Sequence, residues 1–251
     1  MQSVNVAIGN FFFRYRNALF PLIFVLGSLL LRPQRMFDSV IADQLLAVAG
    51  LIIVLLGEAV RLITIGFQYI HRGGKNGKVY AGRLVRGGMY GITRNPMYVG
   101  NGLITIGMTM YFGSPLGYLV VIPFFLFVYQ AIIAAEEAYL QNKFAAEYAD
   151  YALNVNRIIP ALGSVQEAFK GMRFDWRRSI NKDMGTIAGL TIGLNLVPVW
   201  RAYFLYDAAV AKAASLRACW SILVITVVYL ILRKLKRDHR LFQESADAQK
   251  S

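Results

Sequence analysis

The chain has 251 residues, of which 57% are hydrophobic and only 16% are charged, and its mean hydropathy is +0.47. Soluble domains average about 25% charged residues, so this composition excludes an ordinary water-soluble enzyme and predicts an all-α integral membrane protein. The net charge of +13 is spread over segments between long apolar runs, which is typical of loops that face anionic lipid rather than of a nucleic-acid-binding surface.

Six apolar runs approach the length of about 20 residues that a membrane-spanning helix needs. They cover roughly residues 17–31, 43–70, 97–112, 116–135, 184–204 and 216–233. No small-residue cleavage site follows the first run, so we expect an uncleaved anchor. The sequence GSP separates the third run from the fourth and predicts a tight hairpin. No linker stands out, so we expect one membrane domain over 1–251, with a core at 57–160 and, over 161–251, an interfacial helix plus two additional spans.

Lysine and arginine residues indicate the orientation, since they concentrate in cytoplasmic loops. Of the 27 basic residues, 21 lie before the first run, in 71–94, in 136–182 and after 232. Five lie in the segments of the opposite side, and Arg61 is inside the second run. This asymmetry predicts six spans with both termini, and the motif-rich segments, facing the cytoplasm.

The residues that usually bind metals or form disulfides are rare in this chain. It contains one cysteine, Cys219, and two histidines, His71 and His239. These residues do not form any ligand pattern of recognisable spacing. The sequence therefore predicts neither a metal site nor an internal disulfide.

The segment TRNP (93–96) places a polar turn directly before the third run. Pro96 disfavours helix at Asn95 and is well suited to begin the next helix. The free N–H groups of such a helix start attract a carboxylate or phosphate, although simple capping, with Arg94 reaching lipid phosphates, explains these residues equally well. Upstream, the glycine-rich segment 82–91 matches neither a P-loop nor a dinucleotide fingerprint. Its glycines permit either close approach to a ligand or a flexible loop.

Two adjacent carboxylates, Glu136 and Glu137, end the fourth run. Carboxylates at the edge of the hydrocarbon region are costly unless they are partnered or solvated. The partial negative charge of a helix C-terminus makes them less favourable still. We therefore expect them to contact a cationic ligand or the arginines of 83–94.

Three further patterns have both a structural and a functional interpretation. Glu58 and Arg61 are spaced to pair on one helix face inside the second run. Residues 139–157 carry aromatic side chains at helical spacing, and 165–183 has the composition of a basic interfacial helix. A glycine stripe predicts a close-packing surface, either within the chain or in a homodimer: Gly185, Gly189 and Gly193.

Together these residues resemble the integral-membrane methyltransferases of the isoprenylcysteine carboxyl methyltransferase and phospholipid methyltransferase superfamily. The resemblance covers about 57–160 and rests on two motifs that occur in order. The first comprises Leu84, Val85, Gly88, Tyr90, Arg94, Asn95, Pro96, Tyr98 and Gly100. The second comprises Glu136, Glu137, Leu140, Phe144, Tyr148, Tyr151, Val155, Arg157 and Pro160.

The resemblance implies an S-adenosylmethionine cofactor and a lipophilic acceptor that enters sideways from the bilayer. It implies that the first motif, except Arg94, binds the cofactor together with Glu136 and Glu137. Catalytic roles are implied for Arg94, Asn95 and Glu137. Acceptor contacts are implied for Tyr148, Tyr151 and Arg157.

The chain departs from the family pattern at positions that bear on the acceptor. Asn95 replaces the histidine of the carboxyl methyltransferases, whereas phospholipid N-methyltransferases have the N-P-M-Y sequence found here. Ile132 and Ile133 stand where some eukaryotic carboxyl methyltransferases place an arginine. Ala145 replaces the glycine that follows Phe144. The acceptor group is therefore open between a carboxylate and a lipid amine.

Two other classes of function remain compatible with the sequence. Membrane reductases of the sterol type share a similar C-terminal motif and bind a nicotinamide cofactor, but they usually have more spans. A non-enzymatic scaffold or lipid-binding protein explains the spans and the glycine stripe, but not the pairing of the polar turn with two glutamates.

Overall fold

The computed structural model describes residues 2–68 and 79–238. Over these residues the chain is helical and contains no β-strand, which confirms the predicted all-α fold. Its α-helices are α1 (Gln2–Leu30), α2 (Val40–Phe67), α3 (Pro96–Phe112), α4 (Pro115–Asn154), α5 (Val165–Ala168), α6 (Trp176–Leu205) and α7 (Ala208–Arg237). Contacts divide the chain into two compact units, Met1–Phe174 and Asp175–Ser251. The single membrane domain stays a prediction.

Four helices of the described chain are long and apolar enough to cross a membrane: α2, α4, α6 and α7. The helix α3 has 17 residues, which at 1.5 Å per residue give ~25 Å, less than the hydrocarbon thickness of about 30 Å. The helix α1 carries Arg14 and Arg16 within its length. The count of six spans therefore stays a prediction.

The connection between α3 and α4 is the tight hairpin that the GSP sequence predicts. Gly113 ends α3 in the left-handed conformation, with φ of 73°, which glycine adopts without steric cost. Ser114 then caps α4 by accepting a hydrogen bond from the Gly117 N–H at 3.4 Å. Pro115 follows as the first helical residue, where its missing N–H costs nothing. Two residues thus reverse the chain.

The helices α2 and α3 pack closely through paired glycines. A methyl group added at Gly57 would lie 2.7 Å from the Gly100 carbonyl oxygen, and one at Gly50 would lie 2.6 Å from the Gly107 carbonyl oxygen. The two glycine pairs lie seven residues apart on each helix, so the same close contact repeats along α2 and α3. These glycines serve the helix packing of the first unit.

The predicted glycine stripe lies on α6, in the second unit. A methyl group at Gly185 or Gly189 would meet no atom within 4 Å. Close packing at these two positions is therefore not found within the described chain. The homodimer through Gly185, Gly189 and Gly193 stays a prediction.

The helix α1 packs against α4, so the N-terminal segment belongs to the first unit. A side chain at Gly9 would collide with the backbone of Ala131. Four residues after Gly9, Phe13 is 5% exposed and forms an apolar cluster with Val128 and Ile132. These contacts fix the position of α1 beside residues 128–132 of α4.

The helix α4 extends through Glu136 and Glu137 to Asn154 but is kinked at Ala145. This residue has φ of 39° and ψ of −109°, outside the helical region. An L-residue is strained at such a positive φ, whereas glycine is not. Ala145 therefore replaces the glycine of the family pattern at a position where the backbone conformation favours glycine.

Replacing Ala145 by glycine is expected to raise the free energy of unfolding by about 1 kcal/mol. The strained conformation costs of order 1–3 kcal/mol, and the added chain entropy of glycine offsets about 0.5–1 kcal/mol of the relief. The melting temperature in detergent should rise by roughly 2–4 °C. The exposed helical neighbour Ala146 provides the control, since Ala146→Gly should lower it. An equal fall in the melting temperature of Ala145→Gly and Ala146→Gly would contradict strain at Ala145.

The predicted interfacial helix over 165–183 is wrong as a single helix. The helix α5 ends at Ala168, and Gly171 then adopts a left-handed φ of 72°. Asp175 begins a new helix, because its side chain accepts a hydrogen bond from the Arg178 N–H at 2.9 Å. The basic residues therefore lie on a turn and on the start of α6.

The second unit is a hairpin of α6 and α7. Asp207 caps α7 by accepting a hydrogen bond from the Val210 N–H at 2.9 Å. At the other end of the hairpin, the Lys236 ammonium donates to the Asn181 carbonyl at 2.9 Å. A small cluster of buried alanines lies between the helices: Ala202, Ala211 and Ala214.

Candidate functional site

The polar turn before α3 is held against the segment that follows α4. The Arg94 N–H donates to the Asn156 carbonyl at 2.8 Å. The hydroxyl of the fully buried Thr93 donates to the Ile158 carbonyl at 3.0 Å. Backbone groups that would otherwise be left unpaired are thereby satisfied, and the turn becomes a fixed part of the first unit.

Asn95 stands at the N-cap position of α3, but its side chain does not cap the helix. The Asn95 amide instead donates to the Arg157 carbonyl at 3.0 Å and to Oε1 of Glu137 at 3.3 Å. Pro96, the first residue of α3, is buried. Simple capping therefore does not account for the asparagine of the TRNP turn, because its amide joins three separate parts of the chain.

Glu137 is surrounded by donors. Its Oε2 accepts a hydrogen bond from Nε of Arg157 at 2.8 Å, and its Oε1 lies 3.6 Å from a terminal nitrogen of Arg94. With the bond from Asn95, both carboxylate oxygens have partners. The sequence-based expectation that the paired glutamates meet arginines is confirmed for Glu137. Two cations offset the cost of placing this carboxylate at the hydrocarbon edge.

Glu136 has different partners, because adjacent residues of a helix point about 100° apart. Its Oε1 accepts a hydrogen bond of 2.6 Å from the Tyr98 hydroxyl. The Tyr98 hydroxyl in turn accepts a hydrogen bond of 3.4 Å from the Arg16 guanidinium. We call Arg16, Tyr98 and Glu136 the α1 relay. It brings one residue from each of α1, α3 and α4 to a single point.

The two tyrosines of the second motif lie beyond the kink and are both buried. The Tyr151 hydroxyl donates to the Tyr90 carbonyl at 2.7 Å, so this side chain anchors the loop before α3. Tyr148 has Glu137, Arg94 and Arg157 as its charged neighbours. Its hydroxyl is buried and interacts with the Glu137 carboxylate. The acceptor contacts implied for Tyr148, Tyr151 and Arg157 stay predictions.

The upstream part of the first motif lies in the segment before the TRNP turn. Leu84 and Val85 are half-buried in an irregular segment, and Gly88 begins a short 3₁₀ turn with φ of 61°. A methyl group at Gly88 would lie 3.3 Å from Cβ of Phe67. The left-handed conformation and the crowding both favour glycine at this position. A cofactor contact at these residues stays a prediction.

Gly100 faces α2. A methyl group there would lie 2.6 Å from Cγ of Arg61 and 2.8 Å from the Gly57 carbonyl oxygen. The close approach at Gly100 is thus made by α2. Replacement of Gly100 would disturb helix packing, so loss of ligand binding in such a variant would not by itself identify a cofactor contact.

The polar pair predicted inside the second run is present on α2. Nε of Arg61 lies 3.4 Å from Oε2 of Glu58, and both side chains are almost fully buried. The Arg61 guanidinium also donates to the Asn101 side chain on α3. On α4, Ile132 and Ile133 are buried in the apolar core.

Sequence reasoning missed two residues that the structure brings to the site. In the sequence, Arg16 is one of two arginines that precede an apolar run, and nothing there relates it to Tyr98. Gln130 accepts a hydrogen bond of 2.9 Å from the Arg157 guanidinium. A signal for Gln130 was present, since a polar residue seven positions before Glu137 lies on the same helix face.

Comparisons with known proteins give a family model and two relatives. A family model described as phospholipid methyltransferase matches residues 45–147. The chain is 32% identical over 136 residues to the protein-S-isoprenylcysteine O-methyltransferase of Saccharomyces cerevisiae, covering 53% of this chain and 56% of the yeast protein. It therefore spans little more than half the length of this relative.

A second relative is an uncharacterized protein of Haemophilus influenzae. It is 43% identical over 61 residues, which are 24% of this chain and 97% of that protein. No solved structure matches the chain. The apolar helices and these matches together show an integral membrane protein that is similar, over part of its length, to the isoprenylcysteine carboxyl methyltransferase and phospholipid methyltransferase superfamily.

Proposed function

We propose that this protein transfers a methyl group from S-adenosylmethionine to a lipophilic acceptor held in the bilayer. The observation that carries the proposal is the junction of the TRNP turn with the paired glutamates of α4. Asn95 and Arg94 contact Glu137, while Tyr98 contacts Glu136. The two motifs that the family shares are therefore parts of one site in this chain.

The charged groups of this site fit the amino-acid end of S-adenosylmethionine. That end carries one carboxylate and one ammonium. Two buried donors lie at this site: Nε of Arg94, which has no hydrogen-bond partner within the described chain, and the Tyr148 hydroxyl, which has Glu137 and Arg94 as neighbours. Buried donors of this kind favour an acceptor atom, and we assign them to the carboxylate. We assign Glu136 to the ammonium, because both oxygens of Glu137 are engaged by other residues of the chain.

When bound, S-adenosylmethionine supplies a methyl group on a sulfonium sulfur, which is electrophilic without further activation. The protein's own residues then mainly orient the reactants and exclude water. Arg94, Asn95 and Glu137 hold the turn and α4 together, which fixes the two binding groups relative to each other. The half-buried Leu84 and Val85 provide apolar contact for the remainder of the cofactor.

Ligand-dependent thermal stabilisation tests this function against the alternatives. A ligand that binds only the folded protein at 100 times its Kd stabilises it by about 2.7 kcal/mol. We expect S-adenosylhomocysteine to raise the melting temperature of the purified protein and NADPH to leave it unchanged. The opposite result would favour a nicotinamide-dependent reductase, and no shift with either would favour a scaffold. Lipid mass spectrometry of cells with and without the protein should then reveal an acceptor that gains one methyl group.

We further propose that the site faces the cytoplasm. Single cysteines introduced as Lys75→Cys and Arg177→Cys in a Cys219→Ser background should label from the cytoplasmic side, and Ala209→Cys from the opposite side. Lys75 lies outside the described residues, whereas Ala209 is exposed near the start of α7. Labelling of residues 177 and 209 from the same side would show that α6 does not cross the membrane.

A further inference from the structure

We propose that Gln130 of α4 is a positioning residue, which prepares the cofactor site by holding the Arg157 guanidinium on Glu137. Glu137 in turn contacts Arg94, and the proposed methyl transfer assigns Arg94 to the carboxylate of the cofactor. The inference therefore rests on that proposed function. Three observations support it, on the place of Gln130 in α4, the two bound nitrogens of Arg157 and the two oxygens of Glu137.

The first observation is that Gln130 is a polar residue within the fourth apolar run, 116–135. Its side chain is exposed on the surface of α4. On the preceding turn the exposed side chains are apolar, namely Leu126 and Phe127. A polar amide in such a run is costly unless it has a partner. Contact with lipid alone therefore does not account for a glutamine at this position, whereas its hydrogen bond with Arg157 does.

The second observation is that α4 holds the Arg157 guanidinium at two nitrogens. Nη1 donates to Oε1 of Gln130 at 2.9 Å, and Nε donates to Oε2 of Glu137 at 2.8 Å. The two acceptors are seven residues apart, so they lie on the same face of α4. Arg157 itself follows α4, and its side chain is 38% exposed. One ion pair orders a long exposed side chain poorly, whereas two acceptors fix the plane of the guanidinium.

The third observation is how the two oxygens of Glu137 are shared. Arg157 binds Oε2, while Oε1 accepts a hydrogen bond from the Asn95 amide at 3.3 Å and lies 3.6 Å from Arg94. The terminal torsion of a glutamate is soft, so the bond at Oε2 sets the direction in which Oε1 points. By keeping Arg157 in place, Gln130 thus helps to fix the contacts of Glu137 with the TRNP turn.

This arrangement determines which part of a ligand depends on Gln130. The effect passes through Arg157 and Glu137 to Arg94, and Arg94 is assigned to the amino-acid end of the cofactor. Loss of Gln130 should therefore weaken the binding of a ligand that has this end. A ligand that lacks the amino-acid end should bind as before.

Paired titrations with S-adenosylhomocysteine and 5′-methylthioadenosine test the inference without turnover. The second ligand keeps the adenosine and the sulfur but lacks the amino-acid end. Gln130→Met keeps the length of the side chain and removes the oxygen that Arg157 binds. We expect the full-length variant in detergent to bind S-adenosylhomocysteine roughly 3- to 10-fold more weakly, which corresponds to about one ordinary hydrogen bond. Its affinity for 5′-methylthioadenosine should equal that of the wild type.

Two further variants separate the hydrogen bond from other effects of substitution. Gln130→Glu keeps an oxygen for Arg157 and should retain the wild-type affinity for both ligands. Gln141→Met is the matched control, because Gln141 is exposed on the same helix and its amide donates to the Ala145 carbonyl at 3.3 Å. This control should also bind both ligands as the wild type does.

A double-mutant cycle tests whether Gln130 acts through Arg157. In an Arg157→Gln background, Gln130→Met should cause no further loss of affinity for S-adenosylhomocysteine. Additive losses would overturn the inference, and so would equal losses for the two ligands in the single variant. Gln130→Leu is the second variant that removes the oxygen. If neither Gln130→Met nor Gln130→Leu folds while Gln130→Glu does, the role of Gln130 is structural and the inference is wrong.

The wild-type titrations distinguish this inference from the proposed function. If the wild type binds neither ligand, the proposed methyl transfer fails and the inference fails with it. If the wild type and Gln130→Met bind S-adenosylhomocysteine equally well, only the inference about Gln130 fails. If the wild type binds S-adenosylhomocysteine but not 5′-methylthioadenosine, the cycle with Arg157→Gln decides.

Discussion

Glu136→Gln is expected to weaken the binding of S-adenosylhomocysteine by 10- to 100-fold while changing the melting temperature little. Glu136 is the glutamate that we assign to the ligand ammonium, and its only hydrogen bond given by the described structure comes from Tyr98. Glutamine keeps an oxygen that accepts this bond but removes the negative charge. A hydrogen bond to a charged group contributes about 1.5–3 kcal/mol, which corresponds to roughly 10- to 100-fold in affinity. Calorimetric titration of the purified variant gives the result directly.

Glu147→Gln is the matched control for this experiment. Glu147 is on the same helix and is exposed, and its carboxylate lies 3.6 Å from the Arg86 guanidinium. Exposed ion pairs of this kind contribute little, so both affinity and melting temperature should stay at the wild-type values. Wild-type affinity in Glu136→Gln as well would remove Glu136 from the cofactor site.

The paired glutamates show how far the sequence predicts this site. Two carboxylates at the end of an apolar run need partners, and that requirement can be read from residue types alone. Which partner each carboxylate has depends on the direction in which it leaves α4. Arg157 reaches Glu137 only because the chain turns back after α4, and Arg16 reaches Tyr98 only because α1 packs on α4. Both are tertiary contacts between distant segments.

Glycine patterns show the same limit for the fold. A stripe of glycines predicts close packing, but a single sequence does not indicate which helix approaches it. The stripe on α6 meets open space at Gly185 and Gly189, whereas Gly57 and Gly100 are in close contact. The tight hairpin between α3 and α4 was predictable, because Gly113, Ser114 and Pro115 determine it through local backbone preferences.

Glu137→Gln is expected to destabilise the protein by about 1–3 kcal/mol, the range for a charged hydrogen bond left without its partner. Glu137 holds Arg157 at 2.8 Å and also contacts Asn95 and Arg94. Its removal leaves these donors beside a neutral amide at the hydrocarbon edge. The sequence-based placement of Glu137 at a helix C-terminus suggests the opposite, but α4 continues to Asn154, and the helix-dipole effect is confined to the last turn. The contacts of Glu137 with two arginines therefore decide the sign of the effect.

A double-mutant cycle with Arg157→Gln tests whether the ion pair between Glu137 and Arg157 stabilises the fold. If the ion pair stabilises the fold, the double variant should lose less free energy of unfolding than the two single variants together, by about 0.5–3 kcal/mol. Unfolding in mixed micelles provides the free energies. Binding of S-adenosylhomocysteine to Glu137→Gln should weaken only as far as the TRNP turn shifts, and Arg157→Gln should weaken it similarly. A Glu137→Gln variant that is more stable than the wild type, with additive effects in the cycle, would show that this carboxylate is not a structural tie between the TRNP turn and α4.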